Sequence, residues 1–184
     1  MISVKWILLI LLITTTFAAA YEVIFHEGFE GEQFPPAGWE TYGWVEHYSP
    51  GYDSEWCAES IPTYPDKNCS VTSREVDIES GELYEFRFYS RTSSDGLHRA
   101  AVHFDDSSSV FFDLPYIVIG GYDWTQFSMQ VYAPDTASNV HFNFRSYYID
   151  PGIWFYWYID NVSIIHTATS VTPASFGHIK AVYR

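Results

Sequence analysis

Three stretches of this chain alternate bulky apolar and polar side chains with period two: LYEFRFYSR at residues 83–91, TQFSMQV at 125–131 and NVHFNFRS at 139–146. Period two is the repeat of a pleated strand, whose side chains point to opposite faces in turn, and it does not fit the 3.6-residue repeat of an amphipathic helix. Tyr84, Phe86 and Phe88 therefore share one face, with Glu85 and Arg87 on the other. Phe127, Met129 and Val131 form a second apolar row, and Val140, Phe142 and Phe144 a third, leaving His141, Asn143 and Arg145 outward. Strands apolar on one side only are what antiparallel sheets over a shared core require.

Helix signals are nearly absent, and further strands are predicted at residues 21–29, 75–78, 100–105, 110–114, 116–119 and 157–164. Turn formers separate them at Ser80-Gly81, residues 93–96, Gly120-Gly121 and residues 150–152. Roughly eight to ten strands in one domain favour a two-sheet antiparallel jelly-roll β-sandwich over a seven-stranded immunoglobulin-type sandwich. Residues 30–73 show few strand patterns and many turn formers, so they are expected to wrap one end of the sandwich.

Residues 1–20 have the pattern of a secretory signal: Lys5, an apolar run at residues 6–13, and the small-residue exit Ala18-Ala19-Ala20. The apolar run is too short for the ~20 residues of a spanning helix, and no later segment is long and apolar enough, so no membrane span is expected after cleavage. The jelly-roll domain is assigned to residues 21–166, and residues 167–184 to a linker and short tail in which Lys180 and Arg184 stand out. The leader takes Lys5 from the nine Lys plus Arg, so the mature chain sets eight against 23 Asp plus Glu, a formal charge of −15. Such a field repels phosphate backbones and argues against a nucleic-acid partner. In an oxidising compartment Cys57 and Cys69 are expected to pair, closing a polar loop that carries Pro62 and Pro65.

The last predicted strand contains a register fault. Trp157 and Ile159 share one parity and Val162 and Ile164 the other, so the apolar face changes sides at Asp160-Asn161. A β-bulge explains the change and would re-aim Asp160 to a place where its carboxylate needs a partner; a strand buried on both faces with a surface Asp160 is the alternative. At the other end, Glu27 and Glu30 lie close together where the first strand gives way to the turn at Gly31. Calcium takes six to eight oxygens in flexible geometry, so two or three carboxylates with carbonyls and water can hold it. Asp53 and Glu55 could add oxygens or belong to a solvated loop. The scattered histidines, without a paired-Cys or HExxH motif, do not suit a transition metal.

FHEGFEG with FPPAGW (25–39), SREVDIESGELYEFRFY (73–89) and WYIDNVSI (157–164) together resemble the cleaved-adhesin and choice-of-anchor group of secreted bacterial domains, relatives in shape of MAM domains. The resemblance implies a jelly-roll sandwich at the cell surface, a structural calcium ion, and adhesion or carbohydrate recognition rather than catalysis. By position it places Glu30 on the acid of the FE pair, Glu27 on the acid before it, and Asp160 on the first acid of a DD pair. Asn161 departs from the pattern, where members often carry a second Asp; the site loses one charge there and would be weaker or would use the Asn161 carbonyl oxygen as its ligand.

Aromatic residues form the other candidate site. Sugars stack on flat rings while carboxylates and amides hold their hydroxyls, and Tyr147, Tyr148, Trp154 and Tyr156 crowd what reads as one hairpin. Trp39, Trp44, Trp56 and Trp124 are assigned to packing first. No GxSxG, ordered Ser/His/Asp or phosphate-cradling glycine motif occurs. The expected partner is therefore a glycan or an extracellular protein. The alternatives are a subunit of an extracellular assembly that associates with itself, or a carbohydrate-active enzyme with two placed carboxylates.

Overall fold

The computed structural model describes residues 21–43, 45–61, 68–92, 97–112, 123–147 and 156–167. The leader, Trp44, Tyr148, Trp154 and the tail beyond Thr167 lie outside the described residues, as do the strand expected at 116–119 and the turns at 93–96, 120–121 and 150–152.

Twelve strands and no helix occur among the described residues: β1 (Tyr21–Glu27), β2 (Glu40–Tyr42), β3 (Val45–Tyr48), β4 (Cys57–Ser60), β5 (Asn68–Thr72), β6 (Val76–Asp77), β7 (Leu83–Thr92), β8 (Leu97–Phe104), β9 (Ser109–Phe112), β10 (Thr125–Tyr132), β11 (Asn139–Tyr147) and β12 (Trp157–Thr167). Sheet A runs β10-β7-β12-β4-β3, with β1 also on β12; sheet B runs β2-β5-β11-β8-β9, with β6 also on β11. Every pairing is antiparallel. The molecule is a two-sheet antiparallel jelly-roll β-sandwich, as the period-two pattern demands.

The alternating rings meet between the sheets. Phe86 and Phe88 of β7 pack edge-on against Phe142 (5.7 Å) and Phe144 (5.1 Å) of β11, and Trp157 closes on Phe144 at 5.9 Å. Each of these side chains is essentially removed from water. Truncating one such ring to alanine costs about 3–5 kcal/mol, so this stack holds the sheets together.

Residues 30–73 do more than wrap an end, which corrects the expectation above: they supply β2 to β5, two strands to each sheet. Gly43 turns the chain from sheet B to sheet A. Its φ is +77°, and a Cβ there would sit 2.6 Å from the Asn68 carbonyl oxygen and 2.9 Å from Cys69 Sγ, so only glycine fits the crossing.

The expected Cys57–Cys69 bridge is not formed. Cys57 lies on β4 of sheet A and Cys69 on β5 of sheet B, and both thiols are buried and unbridged. Burial pushes the Cys57 thiol up to about 12, with the neighbouring Asp160 charge adding to the effect. An inert, buried thiol of this kind packs as a small hydrophobe.

Candidate functional site

Two places answer to the sequence-based expectations, and they lie on different sheets. The first is a seam beside β12. β7 flanks β12 along its length, whereas its other side is shared by β4 at Trp157–Ile159 and β1 from Val162 onward. The two neighbours part where β12 bulges: the β12–β7 register shifts between Asp160 and Ser163, and Asn161 has φ +47°. Trp157, Ile159, Val162 and Ile164 all face the core, as the parity change requires, and the strand is buried on both faces as well.

Residues 51–56 fold into the gap. Asp160 is fully buried; its Oδ2 accepts the Tyr52 N–H (2.6 Å) and the Ser54 hydroxyl (2.7 Å), and its Oδ1 accepts the Asn161 N–H (2.6 Å). Asn161 Nδ2 donates to the Tyr52 carbonyl at 3.0 Å. Glu30 holds the far end of the same loop, accepting from the N–H groups of Glu55 (3.1 Å) and Trp56 (2.9 Å). Glu27 accepts from Phe29 N (2.8 Å), which supports the left-handed Phe29 at φ +57°. A Cβ at Gly51 would collide with Ser54 Oγ and the Trp56 carbonyl and lie 2.6 Å from Asp160 Oδ2, so this close approach depends on glycine. Asp53 and Glu55 point their carboxylates to solvent, and Glu55 contributes only its backbone.

The four residues nominated as metal ligands are thus brought to one seam. Burial pushes the Asp160 carboxyl above the ordinary carboxylate range, and the Glu30 charge adds to the push against the three donors. Asp160, Glu30, the Asn161 amide oxygen and the Tyr52 carbonyl are hard oxygen donors, and no cationic side chain pairs with Asp160 or Glu30 among the described residues. Their chemistry suits calcium. As they stand, each carboxylate is turned onto protein N–H or O–H groups, and no cluster of three His, Cys, Asp or Glu is placed to hold a metal among the described residues.

The second place is the outer face of sheet B, where the pairing aligns outward side chains in rows. One row runs Tyr42, Ser70, Arg145, Arg99 across β2, β5, β11 and β8, roughly 14 Å at the ~4.8 Å spacing of strands. The next runs Glu40, Thr72, Asn143, Ala101, Phe111. Tyr42 is 63% exposed and Phe111 48%. Polar contacts brace the floor: Arg145 Nε donates to Asn143 Oδ1 (2.9 Å), and Asn143 Nδ2 to Thr72 Oγ1 (2.8 Å). The Arg99 guanidinium lies over the Phe111 ring at 5.2 Å. A hollow of about 230 Å³ opens at one end, lined by Tyr42, Asn68, Cys69, Ser70, Arg145 and Tyr147. Pockets that engulf a whole ligand begin near ~300 Å³, so the hollow suits one ring or substituent of a chain lying across the sheet.

Of the four aromatic residues nominated for binding, Tyr147 lines this hollow, while Tyr156 lies over Tyr158 on sheet A at 6.5 Å. The reading of residues 145–158 as one hairpin is corrected: β11 and β12 belong to different sheets, so Tyr147 and Tyr156 do not share a face. Tyr42, Arg99 and Phe111 were not nominated. Arg145 and Asn143 were recognised as outward-facing without being joined to any site.

No family model matches the chain, and no curated protein matches it. Solved structures do, at low identity. The Clostridium thermocellum endo-1,4-β-D-xylanase 10B, whose CBM22-1 and GH10 modules were solved with xylohexaose, is 17% identical with a TM-score of 0.58, over 82% of this chain and 29% of that one. A bacteriophage CBA120 tailspike protein is 17% identical with a TM-score of 0.55, over 70% of this chain and 19% of that one. TmCBM61, solved with β-1,4-galactotriose, is 16% identical with a TM-score of 0.53, over 76% of this chain and 94% of that one. This chain thus spans less than a third of the xylanase and of the tailspike. At these identities the likeness is one of fold.

Proposed function

We propose that this protein is a non-catalytic carbohydrate-binding domain that works outside the cell as an adhesion or glycan-recognition module, laying a glycan across the outer face of sheet B. The observation that carries the reading is the exposed row and its neighbours: Tyr42, Tyr147 and Phe111 offer rings beside the guanidinium donors of Arg145 and Arg99, with Asn143 bracing Arg145 from below. Rings bury the apolar face of a sugar and the fixed donors take its hydroxyls, which is how a shallow face binds without enclosing its ligand. The xylohexaose and galactotriose bound by two proteins of the same fold make neutral xylan and β-1,4-galactan the natural first panel.

Affinity electrophoresis and a glycan array test the reading. Tyr42→Ala and Tyr147→Ala should each weaken retention about tenfold, whereas Tyr132→Ala, an equally exposed tyrosine on sheet A, should not. Retention without release of reducing ends is expected. Equal loss from all three variants, or turnover of a polysaccharide, would overturn it.

A structural calcium ion at the seam is a separable proposal. The fully buried Asp160 beside Glu30, with no cationic partner among the described residues, favours it. Asp160, Glu30 and Asn161 would hold the ion with the Tyr52 carbonyl, and Glu27 would brace the turn at Phe29. The ion would supply charge compensation and would tie β1 to β12.

A further inference from the structure

Arg145 and Arg99 are directly opposed partners in the β11–β8 ladder, on the outer face of sheet B. Facing residues on one side of an antiparallel pair hold their Cβ atoms about 5 Å apart, where like charges repel. Both side chains are exposed. Among the described residues the ion pairs are Arg87 with Glu85 at 2.7 Å and His166 with Glu82 at 3.5 Å, so neither Arg99 nor Arg145 has a carboxylate partner there. This is unexpected in a chain with 23 acidic side chains, where a partner for each arginine would be easy to supply.

The two guanidiniums are held in place by other means, Arg145 by Asn143 Oδ1 and Arg99 by the Phe111 ring. Their donors are positioned, and no carboxylate among the described residues reaches ion-pair distance of either. His103 and His141, the adjoining facing pair, stack at 5.3 Å. Burial pushes both below the ordinary imidazole range, and Glu40 and Glu75 oppose this only at His141, so at neutral pH the face's positive charge is that of the two arginines.

We infer that the outer face of sheet B selects glycans bearing carboxylates, namely uronate-containing polysaccharides, with Arg99 and Arg145 clamping a carboxylate of a chain whose neighbouring sugar is seated against Tyr42 and Tyr147. The inference rests on reading this face as the glycan platform and adds the class of glycan. Guanidinium forks match carboxylates in a bidentate way, and an anion between two facing arginines turns their mutual repulsion into binding. Against a protein of formal charge −14, a polyanion is repelled by the molecule as a whole, so a local pair of facing arginines favours where such a polymer lands.

Isothermal titration calorimetry with a galacturonate hexamer and its carboxyl-reduced, neutral counterpart tests it. The uronate form should bind at least tenfold more tightly, and the difference should shrink when salt is raised from about 0.05 M to about 0.5 M, as screening shortens. Arg99→Gln and Arg145→Gln should each remove most of that preference and leave the unliganded melting temperature unchanged or raised because a repulsion is relieved. If the neutral hexamer binds as well, or the arginine variants keep the preference, the anion inference falls while the glycan reading stands. Arginine-dependent binding of dextran sulfate tighter than of the uronate would overturn the assignment to carboxylate. If neither hexamer nor any neutral polysaccharide of the panel binds, the platform itself falls, and the inference with it.

Discussion

The outer faces of the two sheets carry the same two kinds of side chain, arginines and aromatic rings, and engage them to different degrees. On sheet A, Arg91 lies between Tyr158 (4.4 Å) and Trp124 (4.9 Å), Tyr52 stacks on Tyr89 at 3.7 Å, and Arg87 is paired with Glu85. The loop of residues 51–56 is fastened over that face by Asp160 and Glu30. On sheet B, Tyr42 stands in solvent, Phe111 keeps about half its surface exposed beneath Arg99, and two facing arginines have no carboxylate partner among the described residues. A face whose rings and charges already answer one another has little free energy left to offer a ligand. A face whose donors are fixed but unanswered gives up little hydration and gains contacts on binding. Aromatic content alone therefore does not locate the site; the state of the partners does.

The contrast breaks most readily at the seam. Asp160→Ala removes the acceptor of three donors, two of them from the loop over sheet A, and leaves them in a buried site. It should cost about 3 kcal/mol, a fall of about 6–12 °C in melting temperature for a domain of this size, with glycan affinity on sheet B unchanged. A shift below about 1 °C would mean the loop is not held by this carboxylate. Calcium at 100 times its dissociation constant would add about 2.7 kcal/mol to the native protein and nothing to Asp160→Ala; a melting curve indifferent to both calcium and EDTA would remove the ion from the seam. Arg91→Ala comes next. It should cost about 1–2 kcal/mol through lost ring contacts and stem packing, again without touching binding. If Arg91→Ala weakened glycan retention as Arg145→Gln should, the two faces would not divide the work as described.

Much of this was legible in the chain, and what was not has identifiable causes. The parity change at Asp160-Asn161 showed the bulge because a strand cannot change its apolar side without an extra residue. The partners of Asp160, Tyr52 and Ser54, lie more than a hundred residues away, and no local pattern names them. β4 is buried at all four positions, and β2 exposed at all three, so neither alternates and neither registered as a strand. With β4 and β5 unseen, Cys57 and Cys69 looked like the ends of a stapled loop rather than residues of opposite sheets. Tyr147 and Tyr156 were grouped by nearness in sequence, which the membership of β11 and β12 in different sheets undoes. Arg145 was outward by periodicity, but its pairing with Arg99 is a matter of register between strands, which period-two alternation leaves open.

The smallest expected effect sharpens the claim that sheet A is self-contained. Glu59 on β4 is buried and faces Glu46 across the β3–β4 ladder, a like-charge pair kept inside the protein's own network. Burial pushes the Glu59 carboxyl above the ordinary range and the Glu46 contact adds to the push, while the Tyr158 hydroxyl and Arg91 oppose it. Because the native state holds this proton more tightly than the unfolded chain, the stability Glu59 contributes is complete below the unfolded carboxylate value near ~4.3 and is lost as pH rises through the higher native value. Melting temperature should therefore drift down over that interval, and Glu59→Gln, which keeps the shape and removes the ionisation, should flatten the drift and leave the protein slightly more stable at neutral pH. Since Glu59 answers only to neighbours on its own face, glycan affinity on sheet B should show no trace of this titration. A parallel pH dependence of binding that disappears in Glu59→Gln would mean that the two faces are coupled through the core.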